Sequence, residues 1–541
     1  MPLSTSTTER RRASPAPPVA QSRPWRALPP WAALCTGALG GLVTETAFPS
    51  KSWWPMAYVG MALLVLALRR DSIPRGFITA AVFGLAFFLP HLWWADAAVG
   101  APIGWIALAA LQSTAVGLFG AAWVAVRRTR FVARHDLVQV AVVAILWTAI
   151  EQLRGRVPFG GFPWGLLAFS QTDGPLMPLA SVGGTTVVSA VTAAIGALLA
   201  VGATRWLCRA PVGRIATPLA TAVVLTFAPS LVPTPTAAES GTLVVGAIQG
   251  NVPTRGADAT SQARAVAANH VAGTRALLRD AGVGALDLVV WPESASDIDP
   301  RTDDELAGAI DSIARDAGAP ILLGTQRFAD RARYNDYLVW PPGSRGTDAY
   351  TKQRPVPFGE YIPCRDFFRR LSPDVDRVTT DMAAGGATGV LDVPIAALGR
   401  PVRVATAICF EVAYGDLIRE SVVAGGELIV IPTNNASFGL TQESTQQLAM
   451  SRFRAVEHGR ATVQVSTVGV SAVIAPDGAV LDRTALFTSD QMIADLPLRT
   501  TLTLADRLGA WPTGMIDAAA LTLLATAAFG RSRLRGGGGR A

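Results

Sequence analysis

Val402-Arg403-Val404-Ala405-Thr406-Ala407-Ile408-Cys409-Phe410-Glu411 is the stretch on which the fold of this chain turns. Residues 402–408 form a short apolar run that ends on a thiol, and an acid stands two residues beyond the cysteine. A run of that length reads as a buried strand rather than a helix. Comparable runs recur at 243–249, 287–291, 320–324, 336–340 and 427–433. Helical periodicity occupies 259–281, 301–317 and 442–458 between some of them. Later runs at 461–467, 470–475 and 479–482 read as antiparallel strands, with Pro476-Asp477-Gly478 as a turn. Strands alternating with helices, closed by a strand-rich tail, predict an α/β layered domain over residues 237–500.

The sequence on either side has a different character. The whole chain of 541 residues is 50% hydrophobic and 16% charged, with a formal net charge of +7. Residues 237–500 carry 24 basic and 31 acidic side chains, a balance of −7, so the remainder stands at +14. Such composition excludes a mainly disordered chain. Four cysteines exclude a disulfide-built scaffold. The +14 part is a series of nearly uncharged apolar runs, at 31–47, 53–68, 76–95, 102–126, 137–152, 180–203, 215–232 and 512–530. Each approaches the ~20 helical residues that cross a bilayer core. Arginines crowd alternate connections: Arg69, Arg70 and Arg75; Arg127, Arg128, Arg130 and Arg134; Arg205, Arg209 and Arg214; and both chain ends. The positive-inside rule makes those connections cytoplasmic. The expected layout is a disordered cytoplasmic tail (1–30), seven spans (31–236), an extracytoplasmic α/β domain (237–500), an eighth span (501–530) and a second cytoplasmic tail (531–541). A cleaved signal peptide is the competing reading of the first run, but it shows no clear small-residue cleavage site. The basic excess is then a membrane signal, and no nucleic-acid partner is expected.

Three strand ends of the −7 domain carry chemistry. Glu293 follows Trp291-Pro292, Lys352 follows Tyr350-Thr351, and Cys409 ends the run quoted above. In sheets flanked by helices, ligands collect beyond the carboxyl ends of strands. A carboxylate there takes the thiol proton, and an ammonium favours the thiolate and steadies an oxyanion. The backbone N–H of Phe410 is a second candidate oxyanion donor. Of the 47 basic residues only Lys51 and Lys352 are lysines, so Lys352 stands out as a position that needs ammonium chemistry. The competing readings are a structural Cys364–Cys409 disulfide and surface roles for Glu293 and Lys352.

Trp291-Pro292-Glu293-Ser294, Tyr350-Thr351-Lys352 followed by VPFGEYIP (356–363), and Ala407-Ile408-Cys409-Phe410-Glu411 resemble the Glu-Lys-Cys motifs of the carbon–nitrogen hydrolase (nitrilase) superfamily. With the apolar spans, FGGFPWGLLAFSQ (159–171), GAIQGNVP (246–253) and the 454–460 helix end, the chain is similar to its membrane-embedded branch, the apolipoprotein N-acyltransferases. The resemblance covers nearly the whole chain. It implies an αββα sandwich outside the membrane and a two-step acyl transfer. Cys409 would take an acyl chain from a phospholipid as a thioester, and the N-terminal amine of a diacylglyceryl apolipoprotein would receive it. Glu293 would be the base, Lys352 the oxyanion stabiliser with Phe410 N–H, and Glu360 and Glu411 nearby supporting acids. No metal or organic cofactor is implied, and the expected site is the cytoplasmic (inner) membrane.

The sequence departs from that pattern in places. Phe410 stands where many members have Tyr, Asn435 where Asp is expected, Ser437 where Trp is expected, and Gln447 where His is expected. No Trp follows Asn251 closely. Two other classes stay open: a membrane-anchored amidase, because the three residues are shared, and a transporter or structural membrane protein, against which stands the near absence of ionisable residues within the spans. His91 reads as a bundle-facing hydrogen bonder, Glu151 as an interfacial charge, and Arg154 or Arg156 as partners for lipid phosphate.

Overall fold

The computed structural model describes residues 27–99, 102–252, 259–282 and 284–536. Most of the tail expected over 1–30, and the last residues of the tail expected over 531–541, lie outside the described residues.

Six helices among the described residues are long and apolar enough to cross a membrane: Ile73–His91, Pro102–Arg127, Asp136–Arg154, Met177–Leu207, Val212–Leu231 and Trp511–Phe529. Two further apolar helices, Pro30–Glu45 and Pro55–Ala67, have 16 and 13 residues, short of the ~20 that span hydrocarbon at 1.5 Å per residue. These two pack at van der Waals contact through small residues. A Cβ on Gly60 would sit 2.0 Å from Thr44 Oγ1 and 2.6 Å from Gly40 O, so only glycine permits the approach. Leucines, isoleucines and valines along the bundle's outer faces, such as Leu39, Ile78, Ile106, Leu118, Val223 and Leu521, are exposed. In water such a surface would be a large uncovered apolar patch, whereas lipid tails cover it at no cost.

The α/β part is built on twelve strands in two six-stranded sheets. They are β1 Thr242–Gln249, β2 Leu288–Val290, β3 Ile321–Ala329, β4 Ala332–Trp340, β5 Asp348–Thr351, β6 Val390–Ile395, β7 Arg400–Thr406, β8 Leu428–Thr433, β9 Thr462–Ser466, β10 Ala472–Ile474, β11 Val480–Arg483 and β12 Asp490–Pro497. One sheet runs β12-β1-β2-β3-β4-β5 and the other β11-β10-β9-β8-β7-β6. The centre of each is parallel (β1-β2-β3 and β7-β8-β9) and the edges are antiparallel. Strand alternation divides each sheet's side chains between two layers. Leu243, Val245, Leu288, Val290 and Leu322 face Val402, Val404, Leu428, Val430 and Val463 across the sandwich. The opposite face of the first sheet, with Ile248, Val289, Ile321 and Leu323, packs on the helices Ala259–Ala281 and Asp304–Ala317. The opposite face of the second, with Ala405, Ala407, Ile429 and Ile431, packs on Gly415–Val423 and Glu443–His458, and through them on the bundle. This is the αββα order, with one helical layer seated on the apolar helices.

The strand runs expected at 243–249, 287–291, 402–408 and 427–433 fall within a residue or two of the observed strands. Three strands were not expected: β5, β6 and β12. β5 has four residues, two of them polar or charged at its ends, and β12 has Asp490, Gln491 and Asp495 among its eight, so neither shows an apolar run.

The two halves are joined by hydrogen bonds as well as by packing. Gln446 Oε1 accepts from Trp164 Nε1 (2.6 Å) and Trp94 Nε1 (3.2 Å), and its amide donates to His91 O (3.2 Å). Gln442 Nε2 donates to Pro90 O (2.8 Å), and Tyr414 Oη donates to Gly161 O (3.0 Å). Thus His91 is buried and bundle-facing, as expected. Glu151 is not an interfacial charge: it is buried and accepts from Leu167 N at 2.8 Å. Arg154 is buried too, and its guanidinium donates to Gln112 and to the carbonyls of Phe162, Trp164 and Gly165, partners inside the protein and not a lipid phosphate. It holds the 155–166 loop in shape instead.

Candidate active site

The three residues singled out at strand ends come together. Glu293 stands just after β2, Lys352 just after β5, and Cys409 just after β7, where the two sheets present their carboxyl ends. Gly324 in β3 allows the β2 end to lie close: a Cβ there would be 2.6 Å from Glu293 Cα. Lys352 is placed by the β4–β5 pairing, with its N–H donating to Asn335 O at 2.9 Å. Cys409 opens a one-turn 3-10 helix, Cys409–Ala413, with φ of 56°. A non-glycine residue there stores strain, and Glu411 holds it. One carboxylate oxygen of Glu411 accepts from Ile408 N (2.7 Å) and Tyr350 Oη (2.9 Å), the other from Gln353 N (2.8 Å) and Arg354 N (2.9 Å). Glu411 therefore ties the cysteine turn to the segment that carries Lys352.

Lys352 Nζ donates to Glu360 Oε1 at 2.7 Å and to Glu293 Oε1 at 3.4 Å. Asn335 Nδ2 donates to the same Glu293 oxygen at 2.6 Å. Thr433 Oγ1 donates to Cys409 Sγ at 3.2 Å. Lys352, Glu293 and Cys409 are all buried. Burial opposes the charge of Lys352, but Glu293, Glu360 and Cys409 beside it outweigh that and hold its pKa above the ordinary lysine value. Burial raises Glu293, with Lys352 pulling it down and Glu360 pushing it up. Burial and the Glu293 charge raise the Cys409 thiol, against Lys352 and the Thr433 hydroxyl. Burial thus holds both the thiol and the Glu293 carboxyl above their ordinary pKa values, while the acids beside Lys352 favour its charge. A carboxyl, a thiol and an ammonium side by side in the interior are the groups that nucleophilic acyl chemistry can use.

Cys409 and Cys364 are both free thiols, Cys409 buried and Cys364 exposed, so the competing disulfide does not form. Phe410 faces the apolar helices: its ring stacks on Trp164 (5.9 Å between centroids, 6° between planes) and lies near Phe162 and Tyr414. No group of three or more potential metal ligands exists among the described residues.

Sequence reading missed four side chains. Asn335 lies in β4, and only strand pairing brings it to Glu293. Thr433 ends β8 as Cys409 follows β7, a positional signal available in the run 427–433. Gln446 is the junction residue described above. Glu443 is buried and accepts from Asn435 Nδ2 at 2.7 Å, and the same amide donates to Gln447 Oε1 at 2.9 Å. Burial raises Glu443 to about 8, with Asn435 lowering it and the Glu293 charge adding to the rise. Two of the departures, Asn435 and Gln447, thus form one buried polar group with Glu443 next to Thr433.

Fold and motifs together define a carbon–nitrogen-hydrolase-type domain mounted on an apolar helical bundle. The carbon–nitrogen hydrolase family matches residues 245–505, and the apolipoprotein N-acyltransferase N-terminal domain matches 40–198. The apolipoprotein N-acyltransferase of Mycolicibacterium smegmatis is 36% identical over 495 residues, covering 87% of this chain and 81% of that protein. That of Azotobacter vinelandii is 30% identical over 512 residues, covering 90% and 94%. An amidase from Nesterenkonia sp. aligns in structure with a TM-score of 0.36 at 15% identity, over 52% of this chain and all of that one. The chain belongs to the apolipoprotein N-acyltransferase family.

Proposed function

We propose that the chain transfers an acyl group from a phospholipid, through a thioester on Cys409, to the N-terminal amine of diacylglyceryl-cysteine lipoproteins. The observation that carries this reading is the buried Glu293–Lys352–Cys409 cluster in a chain of this family. Cys409 Sγ attacks the ester carbonyl carbon as its proton passes to Glu293. The oxyanion rests against Lys352 Nζ and Phe410 N–H. Collapse expels the lysophospholipid alkoxide, which takes the proton back from Glu293. The acceptor amine then attacks the thioester, Glu293 accepts its proton, and the thiolate leaves and is reprotonated. Splitting one transfer in two replaces an ester by a more reactive thioester. Glu360 positions Lys352, and Glu411 holds the cysteine turn.

In this reading the bundle crosses the cytoplasmic membrane eight times, with Pro30–Glu45 and Pro55–Ala67 counted as short spans. Residues 237–500 are extracytoplasmic and both termini cytoplasmic. Arginine placement supports that orientation. The tails 1–30 and 531–541 flank the spans. The test is full-length protein in phospholipid nanodiscs with a synthetic diacylglyceryl-cysteine peptide. The reading expects the peptide to gain one acyl chain. Fatty acid release with no acylated peptide would instead favour the amidase-like hydrolase.

A further inference from the structure

Beside Glu293, Lys352 and Cys409 lies another buried acid, Glu443, that the acyl-transfer steps above do not use. A row of hydrogen bonds runs from it to the nucleophile. Glu443 Oε2 accepts from Asn435 Nδ2 (2.7 Å), and the same amide donates to Gln447 Oε1 (2.9 Å). Thr433 Oγ1 lies 3.0 Å from Gln447 Oε1 and 3.2 Å from Cys409 Sγ. All five side chains are buried. Glu443 and Gln447 stand four residues apart on one face of the helix Glu443–His458, and Thr433 and Asn435 come from the end of β8 and the turn after it. Asn435 and Gln447 are two of the departures from the family pattern, where Asp and His are expected. The ionisable group is therefore at 443, and two neutral amides link it to Thr433.

The row is contested at one end and idle in the middle. Thr433 has one hydroxyl hydrogen for two acceptors. Gln447 Oε1 accepts from both sides, while Gln447 Nε2 is buried and has no partner, a condition that buried N–H groups seldom keep. Turning both carboxamides about their last bonds exchanges ends of nearly equal size and reverses the row. Gln447 Nε2 then donates to Thr433 Oγ1 and Asn435 Oδ1. Asn435 Nδ2 turns to Ser466 Oγ, which lies 2.6 Å from that end of the amide and can accept as well as donate. The Thr433 hydrogen is left for Cys409 Sγ alone. Asn435 Oδ1 then faces Glu443 Oε2, and two acceptors at that distance need a proton between them. The observed row goes with the Glu443 carboxylate, and the reversed row with the acid.

Glu443 can hold that proton at neutral pH. Burial raises it, Asn435 lowers it and the Glu293 charge raises it, to about 8. The ionisable groups that face it are Glu293 and, past Thr433, Cys409 and Lys352. The turn Ala436–Phe438 and β9 carry none, its own helix presents Gln446 and Gln447, and His91 of the bundle hydrogen-bonds Gln446 instead. The Glu443 charge also raises the Cys409 thiol, whereas the Thr433 hydroxyl lowers it. Loss of the Glu443 proton therefore acts against the thiolate twice.

We infer that Glu443 is a positioning residue for Cys409: with its proton it lets Thr433 donate to Cys409 Sγ, and without it it draws that hydrogen away through Asn435 and Gln447. No covalent bond changes, and the proton exchanges with solvent. This rests on Cys409 as the nucleophile, the reading proposed above.

Single-turnover acylation of the full-length protein in phospholipid nanodiscs, at pH 7 and pH 9, tests it. The rate at pH 9 divided by that at pH 7, taken within each protein, cancels any general loss of activity. The parent's ratio should be about a tenth, as expected for an acid one unit past its pKa. Glu443→Gln, which cannot ionise, and Gln447→Met, which cuts the row but leaves the acid, should each raise the ratio about tenfold. Simple repulsion between Glu443 and Cys409 would survive the Gln447→Met cut. A parent rate that does not fall, or a fall that persists in either variant, overturns the inference. Failure of the acyl-transfer reading shows separately, as no acyl adduct in the parent at either pH. Alkylation of Cys409 by iodoacetamide, mapped by mass, needs no phospholipid and decides in that case: its rise from pH 7 to pH 9 should be about tenfold steeper in both variants than in the parent, and equal rises overturn the inference.

Discussion

Lys352 Nζ lies 3.4 Å from Glu293 Oε1, and both side chains are buried. The carboxylates beside Lys352 favour its charge against burial, and Lys352 in turn lowers the Glu293 pKa against burial. Each favours the other's ionisation.

Lys352→Arg should therefore fail although charge is conserved. A guanidinium is larger and planar, and the space between Glu293 and Glu360 is filled by one ammonium. Loss of an aligned oxyanion donor costs about 10²–10³-fold. Single-turnover acylation of the purified variant measures it; near-parental rates would show that Lys352 supplies charge alone.

The acid limb of the acylation rate should lie above the range of an ordinary glutamate. Burial raises Glu293, Lys352 lowers it, Glu360 raises it, and the upward influence wins. A carboxyl with a raised pKa loses its base form as pH falls through that higher value, so activity declines earlier on acidification. Glu360→Gln removes a neighbouring negative charge and should move the limb to lower pH, besides lowering the rate. Rates across pH for both proteins check the sign.

Glu411→Gln should destabilise the fold more than it alters the chemistry. The carboxylate accepts four hydrogen bonds through two oxygens, and an amide offers one oxygen. Losing two charge-assisted bonds inside the protein costs about 3 kcal/mol. Thermal unfolding in detergent reads this as a clear fall in Tm.

Thr433→Val removes the hydroxyl 3.2 Å from Cys409 Sγ. That hydroxyl lowers the thiol pKa, against burial and Glu293, so the variant's thiol should ionise less readily. Acylation should slow about tenfold, a change of one pKa unit or 1.4 kcal/mol, with Tm nearly unchanged. An unaltered rate would show that Thr433 only fills space.

Much of this was legible from residue order. Buried parallel strands have continuous apolar runs, so β1, β2, β7 and β8 stood out, and the residues at their ends could be ranked by chemistry. Edge strands β5 and β12 could not, because a strand that is half polar lacks such a run. The same limit hid Asn335, whose place at Glu293 follows from the register Asn335 inherits in β4, and Glu443, whose acid reaches the site only when the helix Glu443–His458 folds back under β8. Arg154 and Glu151 were misread for a related reason. A charge at the end of an apolar helix looks interfacial in sequence, and only the 155–166 loop folding over it shows that both are buried and hydrogen-bonded.

The account stands on an acyl group carried by Cys409. Intact-mass analysis of the full-length protein after incubation with phospholipid alone, without acceptor, measures it directly. The prediction is a mass increase of one acyl chain, mapped to Cys409 among the four cysteines, released by neutral hydroxylamine and absent from Cys409→Ala. Unmodified Cys409 in a preparation that still acylates the acceptor peptide, or an adduct that persists in Cys409→Ala, would contradict it.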